Sequence, residues 1–149
     1  MPTVQHAART DAGLAAELRI GVMRLRRRLA NERHPDNELS LGSMAVLGTL
    51  SVRDGQTVGE LARGERVQPP SMTRTVKCLE EDGYVVRAAS DADGRLVVVH
   101  LTDQGRETVQ ADRRRRDAWL TQRLSELSPD DRDVLRRAAP ILDRLANAD

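Results

Sequence analysis

The sequence predicts a mainly α-helical protein with one small β-hairpin, an α+β arrangement. Through most of the chain, apolar residues recur at spacings of three and four, which is the period of an amphipathic helix. Only after Gly83 does the pattern alternate, where Val-rich runs flank a loop of turn-forming residues. The chain contains one Trp, one Tyr and no Phe, so its core has to be aliphatic, which suits helix packing.

Length and composition indicate one domain and exclude several classes of protein. The 149 residues are enough for a single domain with its own core. Charged residues make up 32% of the chain, yet the net charge is only +1, so any attraction to nucleic acid has to be local. Cys78 is the single cysteine, which excludes an intramolecular disulfide. No apolar run reaches the roughly 18 residues of a membrane span and no signal segment is apparent, so we expect a cytoplasmic protein.

The N-terminal third contains two predicted helices. Residues 1–12 are small and polar and are expected to form a loose arm. A helix is predicted over about 13–31, where Pro35 lies just beyond its end, and a second over about 40–53, with Gly55 as its C-terminal stop. The predicted inward residues are Leu14, Leu18, Val22, Leu25 and Leu29 in the first helix, and Met44, Leu47 and Leu50 in the second.

Two further helices are separated by a tight turn, which predicts a helix-turn-helix. Thr57 and Glu60 have the spacing of a capping box and start the short helix TVGELARG. The segment VQPPSMTRTVKCLEEDGY (67–84) supplies the next helix. The expected buried residues are Val58, Leu61 and Ala62 in the first, and Met72, Val76 and Leu79 in the second.

A β-hairpin and two more helices complete the chain. Residues 85–87 and 96–101 are predicted strands around the loop AASDADGR, so the helix-turn-helix becomes a winged one. Thr102 is the expected cap of a helix over about 103–125. Ser128 is the cap of the last helix, in which Pro140 predicts a kink.

The helix in 67–84 separates its charges, and this pattern indicates a polyanionic partner. Pro69 and Pro70 open it, and its carboxylates are confined to residues 80–82. A helix that enters the major groove with its N-terminal half needs hydrogen-bond donors in front, because carboxylates there are repelled by phosphate. The predicted donors away from the apolar face are Gln68, Ser71, Thr73, Arg74 and Lys77. The alternative is a solvated helix face that lacks acids by chance.

The tip of the hairpin supplies a second predicted contact. Arg95 follows Gly94 in the loop, where a long cation can enter a narrow minor groove. Asp93, two residues earlier, can orient the guanidinium of Arg95. An ordinary polar turn is the alternative interpretation of this loop.

These segments resemble the MarR family of bacterial transcription regulators over about residues 14–146. PPSMTRTVKCLEEDGYV resembles the family's recognition helix, and SDADGRLVVVHLTDQG resembles its wing signature. The resemblance implies one MarR-type domain over 1–149, with dimerisation helices at 13–33 and 103–149 and a winged helix-turn-helix DNA-binding lobe at 40–101. Two positions depart from the family pattern: Ser90 replaces a frequent Asp, and Gln68 stands where a small cap is common.

The resemblance also implies a function. Such proteins are typically homodimeric repressors on pseudo-palindromic double-stranded DNA operators, and many are released by a small aromatic or phenolic effector or by oxidation. Arg95 would be the minor-groove residue, with Asp93 as its orienting partner. Carried over by position, the residues facing the major groove would be Gln68, Ser71, Thr73, Arg74 and Lys77, and Pro69 is a further candidate DNA-binding residue.

The terminal helices give a separate argument for a homodimer. Their apolar stripes are not covered by a winged helix, and pairing two chains would bury them. The alternative is a monomer that folds these helices onto itself. Candidates for lining an effector pocket are Leu25, Leu29, Met44 and Leu47, although core packing explains them equally well.

No enzyme and no cofactor are predicted. No nucleophile–base pair, glycine-rich phosphate loop or carboxylate constellation has a useful spacing, so there are no candidate catalytic residues. The three histidines lie far apart and no Cys or His pair has metal-ligand spacing, so no metal is expected either. Two alternatives stay open: a winged-helix protein-interaction module that does not bind DNA, and a regulator that responds to oxidation of Cys78.

Overall fold

The computed structural model describes residues 10–148, and within them it contains six α-helices and one antiparallel hairpin. In chain order the elements are α1 (Asp11–Ala30), α2 (Leu41–Val52), α3 (Val58–Glu65), α4 (Pro69–Glu81), β1 (Val85–Ala89), β2 (Val97–Leu101), α5 (Asp103–Ser125) and α6 (Pro129–Ala146). This order confirms the predicted fold class, mainly α with a small hairpin wing.

Helix α1 starts two residues earlier than predicted. The hydroxyl of Thr10 accepts a hydrogen bond from the Gly13 amide at 3.1 Å, so Thr10 is the N-cap and Asp11 the first helical residue. Residues 10–12 therefore belong to the helix and its cap instead of the loose arm. The rest of the predicted arm, residues 1–9, lies outside the described residues.

The chain forms two compact units, and the boundary falls inside α5. One unit, Arg33–Arg114, contains α2 to α4, the hairpin and the first half of α5, and we call it the lobe. The other combines α1, the second half of α5 and α6, and we call it the helical unit. The first half of α5 belongs to the lobe because Val109 and Asp112 are buried there.

The lobe has an aliphatic core, as the composition predicts. Helices α2, α3 and α4, the first half of α5 and both strands contribute to one cluster of buried side chains. Each predicted apolar stripe in these helices supplies buried residues, because residues three and four apart share a helix face. The cluster consists of Met44, Val46, Leu47, Leu50, Leu61, Ala62, Met72, Val76, Leu79, Val85, Val99, Leu101 and Val109.

The capping box at the start of α3 is present. The Thr57 hydroxyl accepts from the Glu60 amide at 3.1 Å, and the Glu60 carboxylate accepts from the Thr57 amide at 2.8 Å. The hydrogen bond from Thr57 and the neighbouring guanidinium of Arg53 lower the pKa of the Glu60 carboxyl.

Gly55 was predicted to stop α2, and this prediction is wrong. The helix ends at Val52 with Arg53 as its C-cap. Gly55, at φ 70°, instead donates its amide to Val99 O at 3.1 Å, and Gln56 forms a bridge with Val99. A Cβ on Gly55 would lie 2.9 Å from the His100 ring, so this close approach of the loop to β2 needs glycine.

The hairpin has five paired positions, from Val85 opposite Leu101 to Ala89 opposite Val97. Strand β1 extends two residues beyond its predicted end. Leu96 lies outside β2, because its amide donates to Asp93 O in the tip turn.

Neither α1 nor α6 contains a buried residue. The apolar stripe predicted on α1 is present but exposed, with Leu14 at 47% and Leu18 at 38%.

Ser128 caps α6 as predicted, and the helix continues through Pro140 to Ala146, so the kink at Pro140 stays a prediction. Between residues 10 and 148, no helix is both long and apolar enough to span a membrane.

Candidate nucleic-acid interface

Helix α4 has one buried face and one exposed face. Met72, Val76 and Leu79 are each at most 2% exposed and anchor the helix in the lobe core. The residues predicted to bind DNA from this helix are all exposed: Gln68, Pro69, Ser71, Thr73, Arg74 and Lys77. The packing of α4 therefore leaves its predicted contact face free of the core.

The first turn of α4 presents no free main-chain amide. Pro69 and Pro70 have no N–H, and the amides of Ser71 and Met72 both donate to Gln68 O, at 3.0 and 3.1 Å. Phosphate binding by helix N-terminal amides requires unpaired N–H groups. Donors at this end of the helix must therefore come from side chains, among them Gln68, whose side chain makes no capping hydrogen bond.

The hydroxyl groups of α4 differ in what they can offer. Thr73 Oγ1 donates to Pro69 O at 2.9 Å, and Thr75 Oγ1 donates to Ser71 O at 3.1 Å. These two threonines keep acceptor lone pairs and a methyl group for a partner, but their protons are engaged in the helix. Ser71 Oγ has no hydrogen-bond partner within residues 10–148, so it can still donate.

The cations of α4 are largely available. Arg74 is exposed and pairs with no carboxylate in the described part of the chain. Lys77 Nζ lies 3.8 Å from Glu81 Oε1, and both side chains are more than 60% exposed, so solvent screens this pair strongly. The Glu80 carboxylate forms an ion pair with Arg87 of β1, and Glu80 Oε2 and Arg87 Nε are 3.1 Å apart.

The wing tip is a hydrogen-bonded turn in which the Asp93 carboxylate accepts a hydrogen bond from the main chain. Asp93 Oδ1 accepts from the Arg95 amide at 3.1 Å, whereas we had expected it to hold the guanidinium of Arg95. Ser90 Oγ accepts from the amides of Ala92 and Asp93 at 3.3 and 3.4 Å. The serine that departs from the family pattern thus still organises the turn, because a hydroxyl oxygen can accept from amides two and three residues on. The Arg95 side chain is left exposed at the tip.

A clamp at the root of the wing was not predicted. Asp54 Oδ1 accepts from the Leu101 amide at 2.9 Å, and Oδ2 lies 3.0 Å from His100 Nδ1. Burial raises the pKa of Asp54, but the hydrogen bonds from Leu101 and His100, with the charge of His100, lower it below the usual 3.8. Near Asp54 the sequence shows only the Asp54-Gly55 dipeptide, which predicts a turn but not the contacts of Asp54 with His100 and Leu101.

The candidate effector residues lie in different units. Met44 and Leu47 are part of the lobe core, and Leu47 has no exposed surface. Leu25 and Leu29 line a cavity of about 430 Å³ in the helical unit, together with Leu142. An effector site formed by all four stays a prediction.

Two other sequence-based interpretations concern cysteine and metal. Cys78 is exposed on α4, beside Lys77. Across residues 10–148, no three His, Cys, Asp or Glu side chains are grouped so that they could hold a metal ion. His6 lies outside the described residues.

Comparison with known proteins agrees with this architecture. The MarR family model matches residues 39–97, which cover α2 to the start of β2. An HTH-type transcriptional regulator of Mycobacterium bovis is 44% identical over 133 residues, covering 89% of this chain and 92% of that protein.

Solved structures show the same fold. A transcriptional regulator of Pseudomonas aeruginosa superposes with a TM-score of 0.82 at 33% identity, covering 93% of this chain and 96% of that one. FabT of Streptococcus pneumoniae, solved in complex with DNA, has a TM-score of 0.68 at 21% identity and covers 92% and 98% of the two chains. Regulators of this family bind DNA and are not enzymes. The chain therefore belongs to the MarR family of helix-turn-helix transcriptional regulators.

Proposed function

We propose that this protein is a homodimer that binds a pseudo-palindromic operator in double-stranded DNA and represses transcription there. The observation that carries the proposal is the exposed face of α4, which presents Gln68, Ser71, Arg74 and Lys77 while its apolar face is anchored in the core. The DNA complex of FabT supports the same use of this fold.

The charges of the lobe support contact with a duplex. Arg74 and Arg95 are exposed cations without an ion pair inside the described range, and Glu80 is paired with Arg87. An arginine can bind guanine or phosphate through two parallel N–H donors, and it fits a narrow minor groove. In this proposal α4 reads the major groove and Arg95 enters the adjacent minor groove.

The helical unit supports dimerisation. Its two longest amphipathic surfaces, on α1 and α6, contain no buried residue in a single chain, and Val134, Ile141 and Leu145 are 47–60% exposed. Exposing so many apolar side chains is costly in water, and a second copy would cover them. Twofold symmetry would then present two copies of α4 to successive major grooves, about 34–36 Å apart.

The proposal includes release from DNA by a small aromatic or phenolic effector, which rests on the family resemblance. An effector would have to bind the DNA-competent and the released states with different affinity. Leu25 and Leu29 remain the candidate residues with exposed surface in a cavity.

The test is selection of fragments of the source genome by the purified protein, followed by a titration of the selected duplex. We expect binding as a dimer, with an affinity that falls steeply as salt rises because phosphate contacts release counterions. Analytical ultracentrifugation of the free protein measures the dimer. A protein that binds neither selected nor random duplex at low salt would instead be a protein-interaction module.

A further inference from the structure

One ion pair joins the predicted recognition helix to the wing. Glu80 lies in the last turn of α4 and Arg87 in the middle of β1, with Oε2 and Nε 3.1 Å apart. The two side chains are 38% and 33% exposed, so water screens this pair less than the neighbouring Lys77–Glu81 pair at 3.8 Å. Glu80 is therefore held in place, whereas Glu81 is loosely solvated.

Arg87 lies in the middle of β1, opposite a residue that is hydrogen-bonded to the rest of the lobe. Its partner across the sheet is Val99, which is fully buried. Val99 is also bonded on its other side, because its amide donates to Gln56 O at 2.7 Å and its carbonyl accepts from the Gly55 amide at 3.1 Å. A force on the Arg87 side chain consequently acts on the whole hairpin and not on a loose strand end.

The connection between α4 and β1 already fixes the start of the strand. The Tyr84 amide donates to Leu79 O at 2.8 Å, and Gly83 turns the chain at φ 83°. The Glu80–Arg87 pair adds a second point of attachment further along the strand. Two points of attachment define a direction, so the pair restricts rotation of the hairpin relative to α4.

The distance from Arg87 to the tip amplifies any such rotation. At about 3.3 Å per residue, the tip lies about 13 Å beyond Arg87, so a rotation of about 10° at the root moves Arg95 by about 2 Å. A displacement of that size is large compared with the tolerance of a hydrogen-bonded contact.

We propose that Glu80 and Arg87 are positioning residues that hold the wing at the angle at which α4 and Arg95 engage adjacent grooves together. This inference rests on the proposed DNA binding. It also gives a role to a carboxylate on a helix that we propose to contact DNA: Glu80 contributes through geometry, although its charge opposes binding.

The direction of the change in DNA affinity distinguishes a positioning role of Glu80 from an effect of its charge. Glu80→Gln removes a negative charge and frees the guanidinium of Arg87, so electrostatics alone predicts tighter binding. Positioning predicts that Glu80→Gln binds the selected duplex about three- to five-fold more weakly, the scale of a partly exposed ion pair, while binding to random duplex does not weaken. Glu81→Gln is the matched control and should bind both duplexes at least as tightly as the wild type.

Two further variants measure the same role independently. In an Arg95→Ala background, Glu80→Gln should cost almost nothing, because there is no longer a wing contact to position. Exchanging the two charges, Glu80→Arg with Arg87→Glu, should recover most of the operator affinity at unchanged net charge. Melting temperature confirms that each variant is folded.

Three results would overturn the inference: tighter operator binding by Glu80→Gln, an undiminished loss in the Arg95→Ala background, or no recovery in the exchanged pair. Failure of the proposed function is a separate result, since the wild-type protein itself would then bind no duplex.

Discussion

Replacing Arg95 with alanine tests the wing contact with the least disturbance to the fold. The side chain is exposed, and its main-chain amide, which donates to Asp93 Oδ1 at 3.1 Å, survives the substitution. The tip turn should therefore stay intact, and the free energy of unfolding should change by no more than about 0.5 kcal/mol.

The effect on DNA binding should be much larger. One arginine contact to a groove contributes about 1–3 kcal/mol, and a symmetric dimer has two, so the expected loss is about 2–6 kcal/mol. That corresponds to operator binding at least about 30-fold weaker. If each arginine also displaces counterions, the slope of log affinity against log salt should become shallower by about 1.8.

Fluorescence anisotropy of a labelled selected duplex at several salt concentrations measures both quantities. Arg106→Ala is the control, because Arg106 is also an exposed arginine of the lobe but lies on α5. If Arg95→Ala bound no more weakly than Arg106→Ala, the minor-groove role of the wing would be refuted.

Four other predictions address specificity, core, acid stability and assembly. Arg74→Ala should lower affinity for the selected duplex more than for random duplex, and equal losses would contradict a base-reading role. Leu47→Ala, at a fully buried position, should lower the free energy of unfolding by about 3–5 kcal/mol and the melting temperature by about 10 °C, whereas Val52→Ala, at 85% exposure, should change little. The folded-state pKa of Asp54 is lowered, so its carboxylate stabilises the fold fully above its usual pKa of 3.8, and this stabilisation is lost as pH falls through the folded-state pKa. Asp54→Asn should therefore make the denaturant midpoint less dependent on pH in that acid range. Ile141→Asp should shift the sedimentation coefficient to that of a monomer and weaken operator binding, and a persistent dimer would place the interface elsewhere.

The elements and their order followed from the sequence by itself. The spacing of Met72, Val76 and Leu79 determines which face of α4 is buried, and Thr57 with Glu60 determines where α3 begins. Helix periodicity, capping and turn chemistry act over a few residues, so a local pattern is sufficient to predict them. The separation of charges on α4 was visible for the same reason.

Only the tertiary structure decided which charged side chains pair with each other and which hydrogen bonds form at the wing tip. Asp54 and Leu101 are 47 positions apart, and Gln56 pairs with Val99, so no local period could connect them. Glu80 and Arg87 are close in sequence, but the turn at Gly83 had to reverse the chain before their side chains could meet. Asp93 was expected to bind a guanidinium and binds an amide instead, because in a folded turn the nearby main-chain donor is already aligned. Periodicity determines which side of an element is buried; the distances between elements depend on packing, and those distances place the charges.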